Sequence, residues 1–167
     1  MGNDKRLDIL KGALLLEHKG KALYESVTKS AEVEGVREIF NMLVKEEEKH
    51  IRILNKQYSS LLKGEDIDSS TLEREGHTAA SDILSSDIAR EVFGAGYEAA
   101  VVSAALEFEK RAVAYYSENA GEAGSEDEAK LYGWLADWEK THMMMLARLD
   151  DEIKQQIWYD NRFWPLD

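Results

Sequence analysis

The chain has 167 residues, of which 44% are hydrophobic, which excludes a disordered chain and fits one globular domain, 1–167, with its own core. Its formal net charge of -12 at pH 7 repels phosphate backbones, so we expect no nucleic acid partner. The absence of cysteine excludes disulfides and thiolate metal sites, and no apolar run has membrane-spanning length or signal-peptide character. We therefore expect a cytoplasmic protein without a membrane partner.

Apolar residues recur at helical spacing in four segments, and strand-like runs of valine, isoleucine and threonine are absent. The predicted helices cover about 5–31, 36–62, 96–119 and, after a cap at Ser125, the chain up to about 156. Turns are expected after the first and third helices, at 34–35 and 121–124. Glu128 should complete a capping box with Ser125, and Gly64 marks the stop of the second helix.

Two segments do not fit a plain helical pattern. The stretch 64–95 is rich in serine, aspartate and glutamate, and we expect a long connection there, with a short helix at 79–93. The C-terminal segment 157–167 is unusually aromatic. It could cap one end of the fold or form a dimer contact, and the sequence leaves both open.

The strongest signal is an internal repeat. A glutamate is followed by a tyrosine seven residues later and by Glu-x-x-His thirty residues later, and the second copy lies 92 residues after the first. The first copy has Glu17, Tyr24, Glu47 and His50, and the second has Glu109, Tyr116, Glu139 and His142. The arms on either side of each predicted turn have equal lengths, which places both glutamates of a hairpin at the same height, about 22 Å from its turn.

The repeat predicts an all-α four-helix bundle made of two hairpins. If a pseudo-two-fold axis relates the hairpins, their turns lie at opposite ends of the bundle. The chain must then cross the length of the bundle between the second and third helices, and the stretch 64–95 is long enough to do so.

Six residues of the repeat have the chemistry of a dinuclear metal site. A residue pair at Glu-x-x-His spacing lies on one helix face, and facing helices each add one more carboxylate. The predicted ligands are Glu17, Glu47, His50, Glu109, Glu139 and His142. Four clustered carboxylates would be costly in an apolar interior, and two divalent ions would neutralise them. The alternative is a set of surface charges on a duplicated hairpin, but apolar stripes surround both Glu-x-x-His pairs.

These motifs resemble those of the rubrerythrin branch of the ferritin-like di-iron carboxylate proteins, over about residues 5–155. The resemblance implies a four-helix bundle with two iron ions that reduces peroxide or dioxygen. It implies that Glu17 and Glu109 are terminal or bridging ligands, with Glu47 and Glu139 in the complementary role. His50 and His142 would be the two imidazole ligands.

The sequence departs from the rubrerythrin pattern in two places. Rubrerythrins proper have a further glutamate three residues after the ligand of the third helix, where this chain has Ala112. That glutamate is tied to their peroxide chemistry, so its absence weakens the case for efficient peroxidase activity, and the six-ligand set looks closer to bacterioferritin-type sites. The cysteine-ligated rubredoxin domain is also missing, so electrons would come from a separate donor protein.

Other residues near the repeat have expected roles of their own. Tyr24 and Tyr116 should hydrogen-bond ligating carboxylates, with packing as the alternative. Trp138 could flank the site, although packing in the core is the expected role for it and for Trp134. We expect side chains away from the site, facing solvent, for Glu46, Glu48, Glu107, His18 and His77.

Three functions remain compatible with the sequence. The first is a redox enzyme that uses two iron ions, a small oxidant and an external electron donor. The second is a ferroxidase or iron-handling protein. The third is a non-redox module that binds manganese or zinc instead. A homodimer is the expected assembly.

Overall fold

The computed structural model describes residues 2–70, 72 and 96–160, apart from the side chains of residues 98 and 156–160. Four helices account for most of this part of the chain: α1 (Asn3–Ser30), α2 (Glu34–Leu62), α3 (Gly96–Gly121) and α4 (Glu126–Asp160). No strand occurs among the described residues, and the expectation of an all-α four-helix bundle is confirmed. The predicted helix at 79–93, His77 and the segment 161–167 lie outside the described residues.

Two predicted helix limits need correction. The pair Glu34 and Gly35, expected in a turn, forms the first residues of α2, because the chain already turns at 31–33. The fourth helix continues to Asp160 rather than ending near residue 156. The stop of α2 is where the sequence placed it, since Gly64 has a φ of 80°, a conformation that favours glycine.

The two hairpins are antiparallel pairs whose turns lie at opposite ends of the bundle. Helices α1 and α2 pack together extensively, and so do α3 and α4. Near the start of α1, Lys5 Nζ lies 3.5 Å from Glu122 in the second turn. At the other end, Ser30 Oγ and Tyr97 Oη hydrogen-bond at 2.7 Å, which joins the end of α1 to the start of α3. The end of α2 and the start of α3 therefore lie at opposite ends of the bundle.

Polar contacts fix the start of α4 and the chain beyond α2. One of the two bonds of the predicted capping box is present, since the Glu128 backbone N–H donates to Ser125 Oγ at 3.3 Å. The Glu128 carboxylate accepts from the Gly124 backbone N–H at 2.9 Å and also pairs with Arg6 of α1. Beyond α2, the Gln57 side chain makes two hydrogen bonds to the backbone of Asp68, at 2.9 and 3.0 Å.

The apolar core is divided into two clusters of buried side chains, one toward each end of the bundle. The first includes Tyr24, Val27, Ile39, Phe40, Leu43, Leu146 and Leu149, and the second includes Leu10, Ala13, Leu54, Leu61, Leu131 and Leu135. Each fully buried large apolar side chain contributes about 1.5–3 kcal/mol to folding. The two clusters leave a layer between them, and the repeated glutamates and histidines lie in that layer. No helix in the described ranges is long and apolar enough to cross a membrane.

Gly20 lets α1 approach α3 beside this layer. A Cβ atom placed there would lie 2.7 Å from Phe108 Cε1 and 3.4 Å from the carboxyl carbon of Glu47. Because a contact of 2.7 Å is too short, any larger side chain would push the Phe108 ring or the helix itself aside.

Gly20→Ala is expected to destabilise the protein by about 1–3 kcal/mol, because it overpacks the contact between α1 and Phe108. Urea unfolding measures the change. The matched control is Gly133→Ala in α4, where a Cβ atom meets nothing within 4 Å. That helix substitution should instead stabilise the protein by about 0.5–1 kcal/mol. Equal effects of the two substitutions would contradict the role of the close approach.

Candidate metal centre

The structure brings all six predicted ligand side chains together in the layer between the two apolar clusters. Each of the four helices contributes, and none of the six residues is more than 2% exposed. They are Glu17, Glu47, His50, Glu109, Glu139 and His142. Leu43 and Leu54 lie above and below the pair on α2, as the apolar stripe predicted, so these are interior side chains rather than charges on a solvated face.

Carboxylate oxygens surround the Nδ1 atom of each histidine. His50 Nδ1 lies 2.9 Å from Glu139 Oε1, 3.1 Å from Glu17 Oε2 and 4.0 Å from Glu47 Oε2. His142 Nδ1 lies 3.1 Å from the other oxygen of Glu139, Oε2, and 3.6 Å from Glu109 Oε1. Glu139 thus reaches both imidazoles with one oxygen each, and Nδ1 is the atom that each histidine would offer to a metal ion.

The donor atoms form two overlapping groups, and within each group they all lie within 4.8 Å of one another. One group has Glu17 and His50, the other has Glu109 and His142, and both contain Glu47 and Glu139. A carboxylate shared by two groups can bridge two ions, whereas a carboxylate in one group can serve one ion. This geometry would suit Glu47 and Glu139 as carboxylates shared by two ions, and Glu17 and Glu109 as ligands of one ion each.

Burial and the crowding of like charges shift the pKa values of these carboxyl groups. Burial, reinforced by Glu17 and Glu139, raises the pKa of Glu47 well above its ordinary value. Burial and the charge of Glu139 raise the pKa of Glu109 to about 8. Burial alone would raise the pKa of Glu139 too, but the imidazoles of His50 and His142 outweigh it and lower that pKa below its ordinary value.

Burial acts on the pKa values of the histidines in the opposite sense. Burial alone would lower the pKa of His50, but Glu139 and Glu17 outweigh it and raise the pKa to about 9. In the same way Glu109 and Glu139 raise the pKa of His142 to about 10 against the effect of burial. In the metal-free protein, the cluster therefore holds protons on carboxylates and imidazoles, and bound cations would displace these protons.

The donor set fits a pair of transition-metal ions. Two buried polar atoms, Glu109 Oε2 and His50 Nε2, have no hydrogen-bond partner, which is rare in a native interior. Carboxylate oxygens together with imidazole nitrogens suit iron, manganese and zinc, and four carboxylates balance two divalent charges. A metal at Glu109 Oε2 would satisfy one of the two atoms.

The two repeat tyrosines hydrogen-bond the terminal carboxylates across the hairpins. Tyr24 Oη donates to Glu109 Oε1 at 2.5 Å, and Tyr116 Oη donates to Glu17 Oε1. Burial and the neighbouring carboxylates raise both tyrosine pKa values well above their ordinary value, so both hydroxyls stay protonated donors. Each hairpin therefore orients a carboxylate of the other.

Tyr24→Phe is expected to weaken metal binding about 10–100-fold, because removal of an outer hydrogen bond to a ligand releases its orientation. Tyr116→Phe should have a similar effect through Glu17. Isothermal titration with Mn²⁺ measures the affinity. Tyr115→Phe is the matched control, since the Tyr115 hydroxyl donates to the backbone oxygen of Ile9, at 2.8 Å, and to no carboxylate of the cluster. An unchanged affinity in both test variants would contradict this role.

Most of the residues that the sequence analysis rejected as metal ligands face solvent, as expected. Glu107 is 59% exposed and pairs with Lys110 at 2.6 Å, and Glu48 is 43% exposed and pairs with Lys21 at 2.9 Å. His18 is also exposed. None of these three belongs to either group of donor atoms.

The expectation for Glu46 is wrong. It was expected to face solvent, but the residue is only 6% exposed. The prediction assumed one buried stripe on α2, whereas α2 also buries a second stripe that faces α4. Met42 and Glu46 lie on this second stripe, and Lys49, one turn further, holds its ammonium group 4.4 Å from the ring centre of Trp138. The spacing 42, 46, 49 was the signal that could have revealed it.

Trp138 flanks the site, but beside the histidine of the other hairpin. Its ring centre lies 5.2 Å from that of His50, and the ring of Trp134 lies 5.9 Å from the same imidazole. Both indoles are also packed against each other at 4.6 Å. The position of the additional rubrerythrin glutamate holds the buried methyl group of Ala112, 2% exposed.

A family model described as Rubrerythrin matches residues 8–150. The match covers α2 and α3 entirely, most of α1 and most of α4, and it contains all six residues of the cluster. No curated protein and no solved structure matches the chain.

Proposed function

Since the chain belongs to the rubrerythrin family, we propose that it binds two iron ions and reduces peroxide or dioxygen with electrons from an external donor protein. The observation that supports this most is the pair of overlapping donor groups that share Glu47 and Glu139. Two ions held by shared carboxylates would lie close enough to act on one small oxidant together.

Each residue of the cluster has a proposed role. Glu17 and Glu109 would each hold one ion terminally, Glu47 and Glu139 would bridge, and the histidines would bind through Nδ1. A bound iron pair supplies two electrons to an oxidant and open coordination positions for it. The protein's part is to keep the ligands oriented and to exclude bulk water, and the two apolar clusters above and below the site support that role.

A second candidate is iron oxidation in the service of iron handling. The buried Ala112 favours it, because the carboxylate that rubrerythrins use in peroxide chemistry has no counterpart in this side chain. The near-symmetric set of three donors from each hairpin favours it too. On this proposal dioxygen would be at least as good an oxidant as peroxide.

Metal analysis followed by stopped-flow oxidation tests the proposal. Protein from an iron-replete source should contain about two iron ions per chain, and the ferrous form should be oxidised by peroxide or dioxygen within a single turnover. The ranking of the two oxidants separates the two candidates. Zinc or manganese as the only native metal would favour a non-redox module, and protein without metal would overturn the metal centre.

We also propose that residues 1–167 form one domain, that the protein is a homodimer and that it acts in the cytoplasm. Light scattering tests the assembly: a dimer supports the oxidoreductase, whereas a cage of many subunits supports iron storage.

A further inference from the structure

The two histidines of the cluster have different surroundings although the repeat makes them equivalent. Both direct Nδ1 at the carboxylates, so the opposite nitrogen, Nε2, points away from the donor groups. His50 is fully buried, and its Nε2 atom has no hydrogen-bond partner. Because buried polar nitrogens are nearly always paired, this atom needs an explanation.

Two tryptophan rings pack against the His50 imidazole. The indoles of Trp138 and Trp134 are nearly perpendicular to the imidazole, at 89° and 77°. An indole nitrogen is a donor only, so neither ring offers an oxygen or nitrogen acceptor to the His50 N–H. The π-face of an indole is a weak acceptor at best.

The repeat offset shows that the other half of the site is built differently. Subtracting 92 from 138 gives 46, so Glu46 is the counterpart of Trp138, and Met42 is the counterpart of Trp134. By the same offset, the position relative to His142 that corresponds to Trp138 beside His50 is that of Glu46. Glu46 and Met42 are both buried, so the His142 half carries an interior carboxylate where the His50 half carries an indole.

We infer that the metal position served by His50 and Glu17 holds its ion more weakly than the position served by His142 and Glu109, and that Trp138 sets the difference. A metal-binding histidine normally donates its second N–H to a carboxylate, carbonyl or water, which fixes the ring and makes Nδ1 a better ligand. Loss of such a partner costs about 10–100-fold in metal affinity. The inference rests on the proposed metal centre, and it identifies the position beside His50 as the one whose ion would exchange more easily.

Anomalous diffraction with Co²⁺ tests the order of filling. Crystals of metal-free protein given one equivalent of Co²⁺ should show the ion beside His142, and a titration in solution should show two steps separated by about 10–100-fold. Filling beside His50 first, or equal filling of both positions, would overturn the inference. Absence of any bound Co²⁺ would instead contradict the metal centre itself.

Trp138→Gln tests the cause of the difference. Its amide oxygen can accept the His50 N–H, so the weaker step should tighten about 10–100-fold while the stronger step stays unchanged. Trp138→Phe is the matched control, because it keeps an aromatic ring without an acceptor, and it should leave the separation of the two steps intact. Equal tightening in both variants would assign the effect to repacking and overturn the role of Trp138. If Trp138→Gln does not fold, the order of filling in the wild-type protein decides alone.

Discussion

Glu139→Ala is expected to abolish binding of both metal ions, whereas Glu17→Ala should abolish binding of one. Glu139 belongs to both groups of donor atoms, and its two oxygens lie 2.9 Å from His50 Nδ1 and 3.1 Å from His142 Nδ1. Glu17 belongs to one group only. Metal analysis of the purified variants should therefore give about zero and one ion per chain.

The same substitution should destabilise the metal-free protein. The imidazoles of His50 and His142 are the charges that lower the pKa of Glu139 against the effect of burial, so the three groups form one buried ionic network. Removal of one partner from a buried ion pair costs about 3–5 kcal/mol, because the charge left behind is uncompensated. Urea unfolding in the presence of a chelator measures this loss.

Glu48→Ala is the control for both measurements. Glu48 neighbours a proposed ligand in the sequence but is 43% exposed and pairs with Lys21 at the surface. An exposed ion pair contributes at most about 1 kcal/mol, so this variant should keep two ions and nearly the full stability. If Glu139→Ala also keeps two ions, Glu139 is not a shared ligand, and the proposed roles of the carboxylates fail.

The sequence predicted the fold and the six clustered residues because both depend on periodicity. Equal arms around two turns force the glutamates of each hairpin to one height, whatever the details of packing. The 92-residue offset then relates the hairpins, and this relation distinguished Glu109 from Glu107, which lies on the exposed side of α3. The spacing of residues along the sequence thus gives directly both the height of a side chain along the bundle and the helix face on which it lies.

Contacts between hairpins could not be predicted in the same way. The hydrogen bond from Tyr24 to Glu109, rather than to a carboxylate of its own hairpin, depends on how α1 and α3 approach each other. The burial of Glu46 depends on which neighbour covers the second buried stripe of α2. Helix spacing gives the face on which a residue lies, but the neighbour that covers this face is a property of the tertiary structure.

Rising pH is expected to destabilise the metal-free protein between about pH 5 and 9. Glu47 and Glu109 have raised pKa values, the latter about 8, so the folded state binds more protons than the unfolded state above the ordinary carboxyl range. The pKa values of His50 and His142, raised to about 9 and 10, act in the same direction above the ordinary histidine range. Stability falls with pH wherever the folded state holds the extra protons.

Glu139 acts in the opposite direction, but in another pH window. Its lowered pKa contributes stability that is present above the ordinary carboxyl range and is lost only in more acidic solution. It therefore does not offset the fall toward alkaline pH.

Bound metal should reverse this pH dependence of stability. Metal ions and protons compete for the same ligand atoms, so metal binding becomes stronger as the pH rises. Calorimetry should show the Tm of the chelated protein falling from about pH 6 to 9, and the gap between the chelated and the metal-loaded protein should widen over the same range. Glu109→Gln is the informative variant, since it removes one of the titrating groups without changing its size and should flatten the fall below pH 8. If the Tm of the chelated protein rises over this range, the ligand groups of the metal-free protein do not bind extra protons in the folded state.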